Sequence, residues 1–276
     1  MAETTAVRKL IVAAVLTLPM STAQAQLRPL EPMQARLFSG TSSIAAELGG
    51  SRLIDQRASL AGENGNLWEA GNFSLAWRTG RVILEAAGTA QRFFRATSSF
   101  DDPYQDVESA TDGRRHDSGD YRLSTTVRVT PNRSPIAGTV RFGTRLPTTD
   151  NTTGLDRDAV DFFATLGGVL NRRSLLISGE AGLGIHTTRE QRFEQDDLLL
   201  YALRAEYSAF PLIPSITVLG QVHGTGHNEI RGVEDLGEVR VGIRAGQHYW
   251  IRAEAVKGYE PVSPSYGVLL TAGLFH

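Results

Sequence analysis

The sequence predicts an all-β fold: a closed antiparallel transmembrane β-barrel of about twelve strands. Three observations carry that expectation. After residue 43 the chain falls into about twelve segments in which every second residue is apolar. The gaps between these segments alternate, short then long, nearly to the end. The pattern follows an N-terminal stretch that reads as a secretory signal.

The signal comes first. Arg8 and Lys9 supply a positive start, residues 10–19 an apolar core, and Ala23-Gln24-Ala25 a small-x-small cleavage site. Residues 1–25 are expected to be removed. The chain has no Cys, which excludes a lipidated cysteine, disulfides and thiolate metal sites. Without Arg8, Lys9 and Glu3, 26 basic and 29 acidic residues remain, a formal charge of −3 that suggests no nucleic-acid role. Lys257 is then the one lysine left; every other basic residue is Arg.

Residues 26–43 read as a periplasmic segment or the start of the first strand, and 44–276 as the barrel. Strands are expected at 44–53, 66–79, 81–94, 119–131, 135–148, 158–169, 173–186, 197–209, 213–225, 234–246, 247–258 and 264–276. Tight connections such as Thr79-Gly80 and Pro131 to Pro135 alternate with longer polar ones at 54–65, 96–118, 149–157, 187–196 and 226–233. Outer-membrane barrels have short periplasmic turns and longer external loops, so the chain starts and ends in the periplasm. Ile136, Val140, Phe142 and Leu146 oppose Thr139, Arg141 and Arg145; Val239, Val241 and Ile243 oppose Glu238, Arg240 and Arg244. Alternation does not say which face meets lipid, since a soluble barrel would turn its apolar face inward. Three features favour the membrane, the first being aromatics on the apolar parity: Tyr121, Phe162, Tyr201 and Tyr266 toward the outer interface, Trp77, Tyr207 and Tyr249 toward the inner. The second is a polar parity rich in small residues and opposite charges, as a lumen would be. The last strand, Tyr266 to Leu274 in one phase, suits the outer-membrane assembly machinery, with Phe275 one place early and His276 terminal.

One segment carries a resemblance. Arg145-Leu146-Pro147-Thr148-Thr149-Asp150, followed by Gly154-Leu155 and Asp161-Phe162-Phe163, resembles the basic-x-Pro-Thr-Gly-Asp loop and following strand of outer-membrane barrels associated with meta-pathway phenol degradation. It departs at Thr149, where that family usually has Gly. The resemblance implies a membrane barrel and passage of small organic molecules; it implies no catalytic residues.

The polar parity is the expected working surface. Lumen-lining candidates are Arg122, Arg128, Arg141, Arg145, Arg204, Glu206, Glu238, Arg240, Arg244, Arg252 and Glu254. Arg122, Arg128, Arg141 and Arg145 lie on two neighbouring strands with no carboxylate between them, an excess that would guide anions unless Glu85, Asp161 and Glu180 reach across and neutralise it. No catalytic residue, metal ligand or cofactor is expected. His223 and His227 flank a Gly-rich loop without a nearby Ser, and two histidines do not define a metal site. The acidic stretch from Phe100 to Asp120 reads as a hydrated loop that divalent cations could bridge to lipopolysaccharide. The sequence therefore points to a passive pore or transporter for small solutes. The rivals are a plugged barrel serving structure or surface interaction, and an outer-membrane lipid hydrolase. Expected partners are outer-membrane lipid and lipopolysaccharide, the assembly machinery and a small solute.

Overall fold

The computed structural model describes residues 27–110, 112–146, 148, 150–156, 160–187, 195–208, 211–223 and 234–276. The signal, the loop from Gly224 to His227, Pro147 and Thr149 lie outside the described residues. The strands are β1 (Ile44–Ala58), β2 (Glu63–Thr79), β3 (Val82–Ser99), β4 (Arg114–Asp117), β5 (Tyr121–Arg128), β6 (Ile136–Leu146), β7 (Asp161–Arg172), β8 (Leu175–Thr187), β9 (Gln195–Tyr207), β10 (Leu212–His223), β11 (Leu236–Ala245), β12 (Tyr249–Gly258) and β13 (Tyr266–Phe275). Apart from β4, which pairs with β3 alone, consecutive strands pair antiparallel around the wall, and β1 pairs with β13 to close the ring. β4 and β5 are two pieces of one wall position. β4 pairs with Arg92–Arg95 of β3 and β5 with Val82–Gly88 of the same strand. The barrel is thus twelve-stranded. Closure satisfies the backbone donors and acceptors between strands, as a lipid environment requires.

The wall shows which face meets lipid. Leu166 is 70% exposed, Ile251 65%, Leu183 64% and Val241 58%. In water such a belt would be a large unfavourable apolar surface. Along the same wall Glu180, Arg240 and Glu254 are buried, as are Arg141 and Arg145 on β6, where Phe142 is exposed. This is the reverse of a soluble barrel. Exposed Trp77, Tyr207 and Tyr249 ring the short-turn end, and exposed Phe162, Tyr121 and Tyr266 the long-loop end. Gly80 (φ 62°) and Gly246 (φ 94°) supply left-handed positions in two of the short turns.

The first three strands run further outward than their alternation suggests. Residues 54–65, expected as a long loop, are mostly strand joined by a turn at Ser59 to Gly62. The physical reason is bulging. Asp55 takes φ 56°, and the β1–β2 register shifts between Leu53 and Gln56, which resets the parity. Gly71 (φ 69°) does the same on β2, opposite Ala90. Likewise 96–118 is not one loop: β3 runs to Ser99 and β4 returns along it. Phe275 turns inward and stacks on Trp250, ring centroids 5.7 Å apart.

Candidate functional site: the filled lumen

Residues 26–43 were expected as a periplasmic tail or the start of a strand. From Leu27 onward the segment instead lies inside the barrel. Four apolar residues seat it. Leu27 packs with Leu53, Leu67 and Phe94, Leu30 with Phe163, Leu198 and Leu200, Met33 with Ala137, Val169 and Leu176, and Leu37 with Ala45, Ala76 and Ile83. Pro29 and Pro32 hold the backbone extended between these anchors and bring no N–H into the lumen. A single helical turn, α1 (Arg36–Ser39), closes the short-turn end.

Charges fix what the apolar anchors seat. The Arg28 guanidinium donates twice to Glu238, at 3.2 and 3.1 Å, and once to Glu69 at 3.2 Å. Glu31 accepts two bonds from Arg240, at 2.7 and 2.9 Å, and its carbonyl accepts from Arg141 at 2.9 Å. The Met33 backbone N–H donates to Glu180 at 2.7 Å. Arg36 pairs with Glu206, and Arg78 donates to the carbonyls of Leu37 and Gly40. Burial opposes ionisation of Glu31, but Arg240 and Arg28 outweigh it and hold the carboxyl well below the usual carboxylate range.

A second element enters from the long-loop end. Asp150 accepts from the Thr152 backbone N–H at 2.9 Å and caps a 3₁₀ turn (Asn151–Thr153); Gly154 follows at φ 67°. That turn directs Leu155 into the cluster of Leu27 and Phe94. It also delivers Asp156, which is fully buried, between Arg92 and Arg145. Burial and the neighbouring Asp120 push the Asp156 carboxyl up, against the pull of Arg145 and Arg92. Asp150 to Asp156, part of the stretch that carries the family resemblance, thus forms an outer plug that meets the N-terminal segment at Leu27 and Leu155.

All four arginines of the expected basic strip are accounted for. Arg141 pairs with Glu85 at 3.3 Å and Glu180 at 3.2 Å. Arg145 pairs with Asp120 at 2.8 Å, Asp156 at 3.1 Å and Asp161 at 2.8 Å. Arg128 donates to the carbonyls of Pro131, Asn132 and Ser134, tying down the β5–β6 turn. Arg122 lines the remaining cavity, where Glu31 is its main opposite charge. Glu85, Glu180 and Asp161 thus reach the strip and pair with Arg141 and Arg145, while Arg122 and Arg128 are met by Glu31 and by backbone carbonyls. On the opposite wall Arg204 pairs with Glu206 and Glu254, and Arg252 with Glu47 and Glu254. Arg244 donates to the Gly246 carbonyl at 3.2 Å and lies over the Trp250 ring.

Sequence reasoning missed Arg28, Glu31, Arg36, Glu69, Arg92, Asp120 and Asp156 as lumen groups. A continuous chain of ion pairs runs through four of them, Arg28, Glu69, Arg92 and Asp156, from Glu238 at one end to Arg145 and Asp161 at the other. The acidic stretch is partly consumed by this network, since Asp120 belongs to it and Asp117 receives the Asp150 N–H. His223 faces inward near Asp235 and edge-on to His186. No group of three or more metal-ligating side chains occurs among the described residues.

With both plugs in place a cavity of about 170 Å³ remains beside the N-terminal segment. That is well under the ~300–1,000 Å³ of a typical small-molecule site. Arg28, Glu31, Arg122, Arg204 and Trp250 are among the residues lining it.

Twelve antiparallel strands, apolar outside and charged inside, define an outer-membrane β-barrel with a self-plugged lumen. No family model and no curated protein matches the chain. Among solved structures it is similar to an outer membrane channel from Pseudomonas putida F1, at 10% identity and a TM-score of 0.54, over 94% of this chain and 100% of that one. It is also similar to outer membrane phospholipase A from Escherichia coli, at 12% identity and a TM-score of 0.45, over 86% and 98%. The toluene transporter TbuX of Ralstonia pickettii matches at 10% identity and a TM-score of 0.39, over 88% and 92%. At such identities the likeness to the channel is one of fold.

Proposed function

We propose that this protein is an outer-membrane conduit for small solutes, shut at rest by its own N-terminal segment. One observation carries the reading. What fills the lumen is held by side chains, while the barrel is held by backbone ladders. Residues 27–40 join no strand of the wall; four carboxylates, Glu69, Glu180, Glu206 and Glu238, hold the segment. Displacing it would leave the ladder intact and enlarge the lumen. Twelve strands lie between the eight that fill their own interior and the sixteen that leave a channel. The resemblance at Arg145 to Asp150 favours small organic solutes as cargo, and the P. putida channel has the same architecture.

The test is conductance in planar bilayers. The mature protein is expected to conduct weakly and in short events. A variant lacking residues 27–40 is expected to give a steady and several-fold larger conductance. Silence from both, with folded barrels on a detergent gel, would move the protein to the plugged structural barrel. Release of fatty acid from phospholipid in the presence of calcium would move it to the hydrolases.

A further inference from the structure

The lumen accounts for the charges inside the barrel, but not for those outside it. At the long-loop end a group of cations sits on the lipid-facing parity of adjacent strands. Arg52 on β1 pairs across to Trp68 on β2, Trp68 to Phe93 on β3, and Phe93 to His116 on β4. One step further out, Arg95 on β3 stands directly opposite Arg114 on β4. Lys257 on β12 is on the same face, two strands to the other side of β1. Arg52, Arg95, Arg114, His116 and Lys257 are all exposed.

Two features show that this placement is not an ordinary solvated surface. First, like charges directly opposite on one face of a sheet are destabilising unless something neutralises them. Arg114 has an exposed contact with Asp112 at 3.6 Å, and among the described residues neither Arg52 nor Arg95 has a carboxylate within ion-pair distance. Arg52 instead lies over the Trp68 ring, 5.3 Å from its centroid. Second, the depth matches a lipid headgroup. Trp77 on the same strand marks the inner girdle, nine residues from Trp68. Gly71 is bulged, so the rise is that of the eight residues between their β1 partners Ile44 and Arg52. At roughly 3.3 Å per residue and a tilt of ~40°, Trp68 sits about 20 Å higher, in the upper part of the ~25 Å apolar band. Arg95 and Arg114 then lie just beyond the hydrocarbon edge. Among the described residues the opposite sector has no such group of cations: Phe162, Ile185 and Leu199 are exposed at the same end, and the charged group beside them is the acidic Asp197, opposite Ile185.

We propose that the outer rim of β12, β13 and β1 to β4 is a binding site for the phosphate groups of an outer-leaflet lipopolysaccharide. Arg52, Arg95, Arg114 and Lys257 would hold the phosphates, while Trp68, Phe93 and Tyr266 pack against the sugar and upper acyl chains. Guanidinium suits this role because it offers several donors to one phosphate. The site is independent of whether the lumen opens.

The experiment is native mass spectrometry of the full mature protein, folded in detergent. It is titrated separately with bisphosphorylated lipid A, dephosphorylated lipid A and phosphatidylglycerol. The intact protein is expected to retain bisphosphorylated lipid A in preference to both others. Arg52→Gln with Arg95→Gln should weaken that retention about tenfold, the loss of two charge-assisted contacts. Arg133→Gln, at the other end of the barrel, should not change it. An unchanged heat-dependent gel shift shows that each variant is folded. Should the double variant not fold, Arg95→Gln with Arg114→Gln, both beyond the hydrocarbon edge, replaces it. Equal retention of the phosphorylated and dephosphorylated lipids, or no loss in a folded variant, overturns the proposal. Preference for phosphatidylglycerol over lipid A overturns it too, since the source would then be a simple phospholipid.

Discussion

Replacing Arg145 with Met tests whether the lumen network is dry. Arg145 is 4% exposed and holds Asp120, Asp156 and Asp161 at 2.8, 3.1 and 2.8 Å. Removing one partner of a buried ion pair costs about 3–5 kcal/mol, because the other charge stays buried. Asp156 keeps Arg92, and Asp161 keeps His186 at 3.5 Å, so the lower end applies. The expected loss is about 3 kcal/mol, or roughly a hundredfold in the unfolding equilibrium. Urea unfolding in phospholipid vesicles, read by tryptophan fluorescence and gel mobility, would measure it. The deficit has a pH signature. Burial and Asp120 already raise the Asp156 carboxyl in the intact protein. A group whose pKa is higher folded than unfolded takes up protons on folding, so its stabilising effect is present at acid pH and is lost as pH rises through the folded value. Without Arg145 the raised group goes higher still, and the variant should recover much of its deficit on acidification. A loss under ~1 kcal/mol, or one that does not change with pH, would mean that water screens these charges and that the cluster is not sealed.

Acid should not release the N-terminal plug through Glu31. Its folded pKa is depressed, so its contribution is lost only as pH falls through that low value, and conductance should not rise between neutral pH and about pH 4. On the wall, Val241→Arg should cost about 2–4 kcal/mol near the bilayer midplane, whereas Val241→Leu should be nearly neutral in the same unfolding assay. Thr126→Arg tests the inner face. Thr126 is 2% exposed in a filled lumen, so added bulk there should displace the plug and raise conductance, while Thr126→Ser leaves it low. Unboiled protein should migrate apart from boiled protein on a detergent gel, because the closed ladder resists detergent until heated; identical migration would reject the closed ring.

The barrel was legible because lipid on one side forces a period of two on every strand. Val239, Val241 and Ile243 report that constraint without any knowledge of their neighbours. Legibility fails where the backbone breaks the period. Asp55 and Gly71 each insert a residue, the parity flips, and the outer parts of β1 and β2 read as loop. Parity also says which wall an Arg is on, but not which carboxylate meets it across the lumen. Arg141 finds Glu85 on β3 and Glu180 on β8, and no local pattern announces that meeting. The N-terminal segment fails for a stronger reason. With two prolines and no alternation, Leu27 to Met33 has the appearance of a tail. Its place is set by partners as distant as Glu238, 210 residues from Arg28.

That difference in origin has a mechanical consequence. The wall's order is local and repeated, each strand bonded to two neighbours through groups present in every residue. The plug's order rests on individual side chains, so single substitutions can weaken it in a way they cannot weaken a ladder. Glu69 shows how the two plugs are joined. It accepts from Arg28 of the N-terminal segment and from Arg92, which in turn holds Asp156 of the outer loop. Leu27 and Leu155 share one apolar cluster at the same place. A disturbance of the outer loop therefore reaches the N-terminal segment through one apolar contact and a chain of three ion pairs. A solute arriving from outside would meet Asp156 and Arg145 first, and the group that holds the inner plug lies two bonds further on.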